Sequence, residues 1–129
     1  MLTTRQKAKH LCVRCHTQLT QDHTFPQNPE VIVLSVSSAY EIKISPTLTS
    51  CNSIGVESSL KLTGIVYFNL PLAHYVARII DKDGRVWYHD GMNTGTQCIY
   101  EGSISEFDSA RLQNYTANVF ACLLIYKKA

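Results

Sequence analysis

Apolar positions along this chain fall in short runs separated by polar, turn-forming stretches. "VIVLSV" (31–36), "SLKLTGIVYF" (59–68) and "ANVFACLLIYKK" (117–128) are rich in β-branched and aromatic residues and predict strands, the first of them buried. "YEIKI" (40–44) alternates apolar with polar and predicts a further strand, ended by Pro46. Two more strands, 74–80 and 85–90, flank "DKDG", whose Asp83-Gly84 step supplies the left-handed backbone that a tight hairpin needs. "TQCIYE" (96–101) adds another, while "TQLTQDHTFPQNPE" (17–30), polar and with two prolines, reads as a loop. "ISEFDSARLQ" (104–113) predicts a short helix, with Ser103 or Ser105 available as its cap. The expected fold class is therefore mainly β (α+β), an antiparallel sheet with one or two short helices.

Length narrows the picture: 129 residues without repeats or low-complexity tracts predict a single domain, 1–129. A 45% hydrophobic and 17% charged composition suits a globular core. Net charge is only +2, and the small cluster Arg5, Lys7 and Lys9 reads as a solvated segment, so no nucleic-acid partner is expected. No apolar run reaches the roughly 20 residues that span a bilayer, so no membrane partner is expected either. The first residues lack the apolar core of a signal peptide, which predicts an intracellular (cytoplasmic or nuclear) protein. Five cysteines at irregular spacing cannot complete an internal disulfide framework, and Cys122 within "VFACLLIY" reads as a small core residue.

Candidate chemistry concentrates in "LAHYVARIIDKDGRVWYHDG" (72–91). A three-residue loop that pairs Ile80 with Gly84 places His74 directly opposite Asp90, with Cβ atoms roughly 4.5–5.5 Å apart. A four-residue loop places Asp90 beside Tyr75 instead. In the first register a carboxylate on one ring nitrogen fixes the histidine tautomer and leaves the other nitrogen free as a base. The competing reading is an ordinary polar pair across a hairpin.

These residues carry a resemblance. "LKLTGIVYFNLPLAHYVARIIDKDGRVWYHDG", with His74-Tyr75-Val76, Trp87 and Asp90 in order, resembles the C-terminal part, the palm, of the papain-like ubiquitin-specific protease catalytic domain. "FACLLIYKK" is similar to that family's closing strand, and "CVRC" followed by "FPQNPEVIVLSV" to the second half of its zinc ribbon. Residues 1–30 would then be a remnant of the zinc-ribbon and loop region. The resemblance implies His74 as general base and Asp90 as its orienting partner, with Leu72, Ala73 and Tyr75 meeting the substrate tail. It also implies a cysteine box and helical thumb upstream of this sequence, so the nucleophile is not identified here. Ala73 departs from the family's glycine, and Pro71 and Leu72 from its glycine-rich loop.

Cys98 and Cys51 are the thiols to weigh as substitutes, although neither has an evident activating helix N-terminus. Cys12 and Cys15 form half of a tetrahedral zinc site, which His10, His16 or His23 could complete. Otherwise they are a reduced relic pair, and no other cofactor is expected. The expected function is a catalytically incomplete ubiquitin-specific-protease-like module that binds ubiquitin or a similar protein. The alternatives are an active cysteine-dependent deubiquitinase whose thiol comes from a partner chain, Cys98 or Cys51, and a fold-only binding protein unrelated to ubiquitin. A palm sheet without its thumb exposes an apolar face, which predicts a homodimer or a partner-bound subunit.

Overall fold

The computed structural model describes residues 4–11, 18–23, 26–37 and 41–129, the first two segments as strand backbone only. It is mainly antiparallel β with one short helix and one 3-10 turn. Strands β1 (Thr4–Leu11) and β2 (Gln18–His23) form a two-stranded sheet of their own. β2 occupies part of the stretch expected to be a loop; its polar side chains hid a strand that pairs only with β1.

The main sheet comprises β3 (Val31–Ser35), β4 (Thr47–Cys51), β5 (Glu57–Asn69), β6 (His74–Ile80), β7 (Arg85–His89), β8 (Ile99–Ser103), β9 (Asn114–Thr116) and β10 (Val119–Lys128). Its order is β3-β10-β5-β6-β7-β8, with β4 added alongside β5 and β9 alongside β10. The long strand β5 changes partner partway along. Its first residues pair with β4, and from Gly64 onward it pairs with β6.

Alternation along the strands splits the sheet into two faces. One carries Ile32, Leu60, Leu62, Ile65, Tyr67, Val76, Ile80, Val86, Leu124 and Tyr126, the core that α1 (Ser109–Gln113) and Phe107 cover. The other face shows Val33, Tyr75, Ile79 and Tyr100 to solvent. The run 31–36 is accordingly not a buried strand but a sheet edge, with Val31 and Val33 exposed and only Ile32 fully inside.

Two further expectations give way for identifiable reasons. Residues 41–44 keep their in-out alternation, yet they form no ladder. The backbone of Ile42 and Ile44 is satisfied by α1 instead: Ser109 Oγ accepts from Ile44 N–H at 2.7 Å and donates to Ile42 O at 3.1 Å. Gln113 Oε1 accepts from Ile42 N–H. Tyr40 lies outside the described residues. The helix expected over 104–113 is broken in two. Ser103 caps the 3-10 turn Ile104–Glu106, extended backbone follows at Phe107, and Asp108 restarts the chain by accepting from Arg111 N–H.

That short helix is held at its C-terminal end, where helical carbonyls lack partners of their own. The buried Tyr67 hydroxyl donates to Leu112 O at 2.6 Å, and Arg78 Nη1 donates to Arg111 O at 2.6 Å. Arg78 is 3% exposed and also bonds Glu101 through Nε at 2.8 Å, with the Tyr115 and Phe107 rings against its guanidinium. Among the described residues no buried side-chain polar atom lacks a hydrogen-bond partner. No helix among them is long and apolar enough to cross a membrane.

Candidate functional site

His74 is the first residue of β6, directly after the turn Leu70–Ala73, and Asp90 is the first residue after β7. The turn is tied down by Leu70 N–H to Asn118 O and Leu72 N–H to Asn69 Oδ1. It delivers Ala73 at φ +47°, a left-handed backbone that suits glycine and costs an alanine roughly 1 kcal/mol.

The β6–β7 hairpin has a three-residue loop, but one step further along the chain than expected. Asp81 N–H donates to Arg85 O, and the first ladder pair is Ile80 with Val86. Gly84 sits at φ +79° in the loop, as the turn requires. Neither expected register holds: beyond the last pair, Ala77 with His89, Asp90 comes opposite Val76. His74 is thus its diagonal neighbour two positions away. A two-residue offset leaves both side chains on one face, whereas a one-residue slip would have separated them.

Across that diagonal, His74 Nε2–H donates to Asp90 Oδ1 at 2.7 Å. The Asp90 carboxylate is 2% exposed and fully engaged. Met92 N–H donates to Oδ1 at 3.0 Å; the Asn93 amide at 2.8 Å and the Tyr88 hydroxyl at 3.4 Å donate to Oδ2. Thr94 clamps the same residue's backbone from both sides, its Oγ accepting from Asp90 N–H and donating to Asp90 O. Burial opposes ionisation of Asp90, but His74, Asn93 and the Met92 N–H outweigh it and hold the carboxyl down at about 2. The neighbouring Tyr88 hydroxyl is pushed up to about 12, by burial first and by the Asp90 charge next.

An ionised Asp90 only accepts, so Nε2 carries the proton and the neutral imidazole has its lone pair on Nδ1. No hydrogen bond to Nδ1 forms among the described residues, and the side chain retains 15% of its exposure. A ring held this way on a carboxylate leaves Nδ1 open to accept a proton when neutral. Sequence reasoning missed Tyr88 and Asn93 as donors to the carboxylate and Thr94 as the clamp on the Asp90 backbone. The signal for Asn93 and Thr94 is the run "DGMNT", an Asp followed by turn-forming Asn and Thr; Tyr88 had none.

Neither candidate thiol hydrogen-bonds to the pair. Cys51 ends β4 opposite Glu57, at the far end of β5 from the Asn69–His74 pair, roughly 40 Å away along the strand. Cys98 is exposed and directly precedes β8, whose first residue, Ile99, lies opposite Tyr88. Cys122 donates its thiol to Val66 O, and burial pushes that thiol up.

Leu72 and Ala73 lie exposed on the turn leading into His74, with Leu72 at 61%. Tyr75 is 62% exposed but projects from the outer face, against Phe68 at 5.0 Å, away from the His74 ring. Cys12 and Cys15, the residues expected to hold zinc, lie outside the described residues, as does His16. No group of three or more potential metal ligands occurs among the described residues.

Neither a family model nor a curated protein matches the sequence. Among solved structures, the fold is similar to that of one chain of the SAGA Ubp8/Sgf11/Sus1/Sgf73 DUB module, with TM-score 0.55 and 17% sequence identity. The likeness covers 98% of this chain and 31% of that one, so this chain spans about a third of its neighbour's length.

Proposed function

We propose that this chain is a protein-binding module built on the palm sheet of a ubiquitin-specific protease, recognising ubiquitin or a ubiquitin-like protein. One observation carries the reading. A fold similar over nearly the whole chain to part of a DUB module holds His74 on Asp90, with Cys51 at the far end of β5 and Cys98 making no hydrogen bond to the pair. Without a thiol at the base no acyl intermediate can form on these residues. What remains useful is the surface beside the pair, where Leu72 and Ala73 would meet an extended tail. Tyr75 and Ile79 on the outer face would meet the body of a partner. Val33 and Tyr100, also exposed there, support a homodimer or a partner-bound subunit.

A second reading is favoured by the intact pair itself. The 2.7 Å bond and the unengaged Nδ1 are what a thiol supplied by another chain would need. It makes the protein one half of a cysteine-dependent deubiquitinase. Titration of the labelled protein with ubiquitin, read by NMR, tests the first reading. Saturable shifts at Leu70–Tyr75 are expected, and no shift anywhere overturns it. A ubiquitin probe with a thiol-reactive C-terminal group, followed by intact mass, tests the second. No adduct is expected on this chain alone, and an adduct that disappears with Cys98→Ala or Cys51→Ala overturns the assignment.

A further inference from the structure

A cavity of about 470 Å³ lies not at His74 but at the opposite end of β6, where Ile80 enters the hairpin. It arises from the topology. Strand β5 pairs with β6 only from Gly64 onward, while its preceding residues turn to β4, so the two strands part between Thr63 and Ile80. Leu62, Ile80 and Ile104 make the opening's apolar floor.

Its rim is basic. Lys61, Lys82 and Lys127 line it, and none of the three makes an ion pair among the described residues; Lys128, also on the rim, reaches Glu30 at 3.6 Å. Lys61 and Lys127 are direct cross-strand partners, and like charges so placed repel each other. Asp81, the acidic side chain on the rim, does not relieve them. Its carboxylate accepts from the Arg85 guanidinium at 2.9 Å and the Trp87 indole at 3.0 Å, together with the N–H groups of Asp83 and Arg85.

We infer that this cavity binds a small anion carrying an apolar body. The head group would sit between Lys61 and Lys127, turning their repulsion into two attractions. The tail would lie on Leu62, Ile80 and Ile104. This site is independent of His74 and of any affinity for ubiquitin.

Dodecyl phosphate, kept below its micellisation threshold, is the probe, with binding followed by amide NMR. Expected are saturable shifts at residues 61–63 and 80–84, weakened by added salt. Lys127→Glu should weaken binding roughly tenfold and Lys43→Glu, an equal change in net charge elsewhere, should leave it unchanged. Thermal melts of both variants establish that they are folded. Three outcomes overturn the inference. One is no binding. Another is binding indifferent to Lys127→Glu, which would place the probe on the apolar outer face. The third is equal affinity for inorganic phosphate, which would leave the apolar floor without a role.

Discussion

His74 and Asp90 meet as diagonal rather than directly opposed neighbours across the β6–β7 hairpin, and their contact survives because the offset is two residues. Its acid response follows from the charge on Asp90. The carboxyl titrates near 2 in the folded protein against an ordinary value of 3.8. Between those values the unfolded chain holds more protons than the native one, so stability rises with pH through that window and is lost as pH falls through it. Asp81, held down to about 2 chiefly by the Trp87 indole and the Arg85 groups, contributes in the same direction. Denaturant midpoints measured from pH 2 to 5 should therefore climb, and Asp90→Asn should flatten part of the slope, leaving the share of Asp81.

Removing the Asp90 side chain altogether has a second cost at neutral pH. Asp90→Ala leaves the Asn93 amide, the half-buried Tyr88 hydroxyl and the His74 Nε2–H without their acceptor. A loss of about 2–4 kcal/mol is expected from urea unfolding. An unchanged midpoint would mean that water replaces the carboxylate at no cost.

Arg78 is the other buried charge whose partners are countable. Burial disfavours its charged form, but Glu101 and Tyr67 more than restore it. Arg78→Met strands Glu101 and the Arg111 carbonyl at the end of α1, and should cost about 3–5 kcal/mol. Adding Glu101→Leu removes the uncompensated acid and should recover part of that loss. A double-mutant cycle by chemical denaturation reads both effects.

How far the sequence revealed this architecture depends on where each segment's hydrogen bonds go. Strands β5, β6, β7 and β10 were legible because their apolar alternation and their ladders coincide. Thr47–Cys51, a short strand of two Thr, one Ser, one Cys and a single Leu, gave too little apolar contrast, and Pro46 read as a stop rather than as the residue before a strand. Residues 41–44 showed the reverse case. Their pattern was that of a strand, but α1, remote in sequence, takes their backbone bonds. The His74–Asp90 proximity was readable from hairpin parity. The carboxylate's other donors come from loop geometry after Asp90 that no periodicity encodes.

Ala73 marks the clearest local conflict between residue type and backbone. At φ +47° an alanine bears a steric cost that glycine does not. Glycine's larger unfolded-state entropy offsets part of the gain. Ala73→Gly should then stabilise the protein by about 0.5–1 kcal/mol, visible as a higher denaturant midpoint. A lower midpoint would show that the turn draws its rigidity from the alanine.

The three cysteines among the described residues should separate cleanly by reactivity. Thiolate, not thiol, reacts with iodoacetamide, so both access and ionisation set the rate. Cys98 is exposed and has a free approach from solvent. Cys51 is half-buried, and its thiol lies 3.6 Å from Asn52 O. Cys122 is half-buried too, its thiol donates to Val66 O at 3.3 Å, and burial raises it. Limited alkylation at pH 8 followed by peptide mass mapping should find Cys98 modified first, Cys51 later and Cys122 last. Early labelling of Cys122 would mean that its bond to Val66 O and its burial do not hold the thiol back.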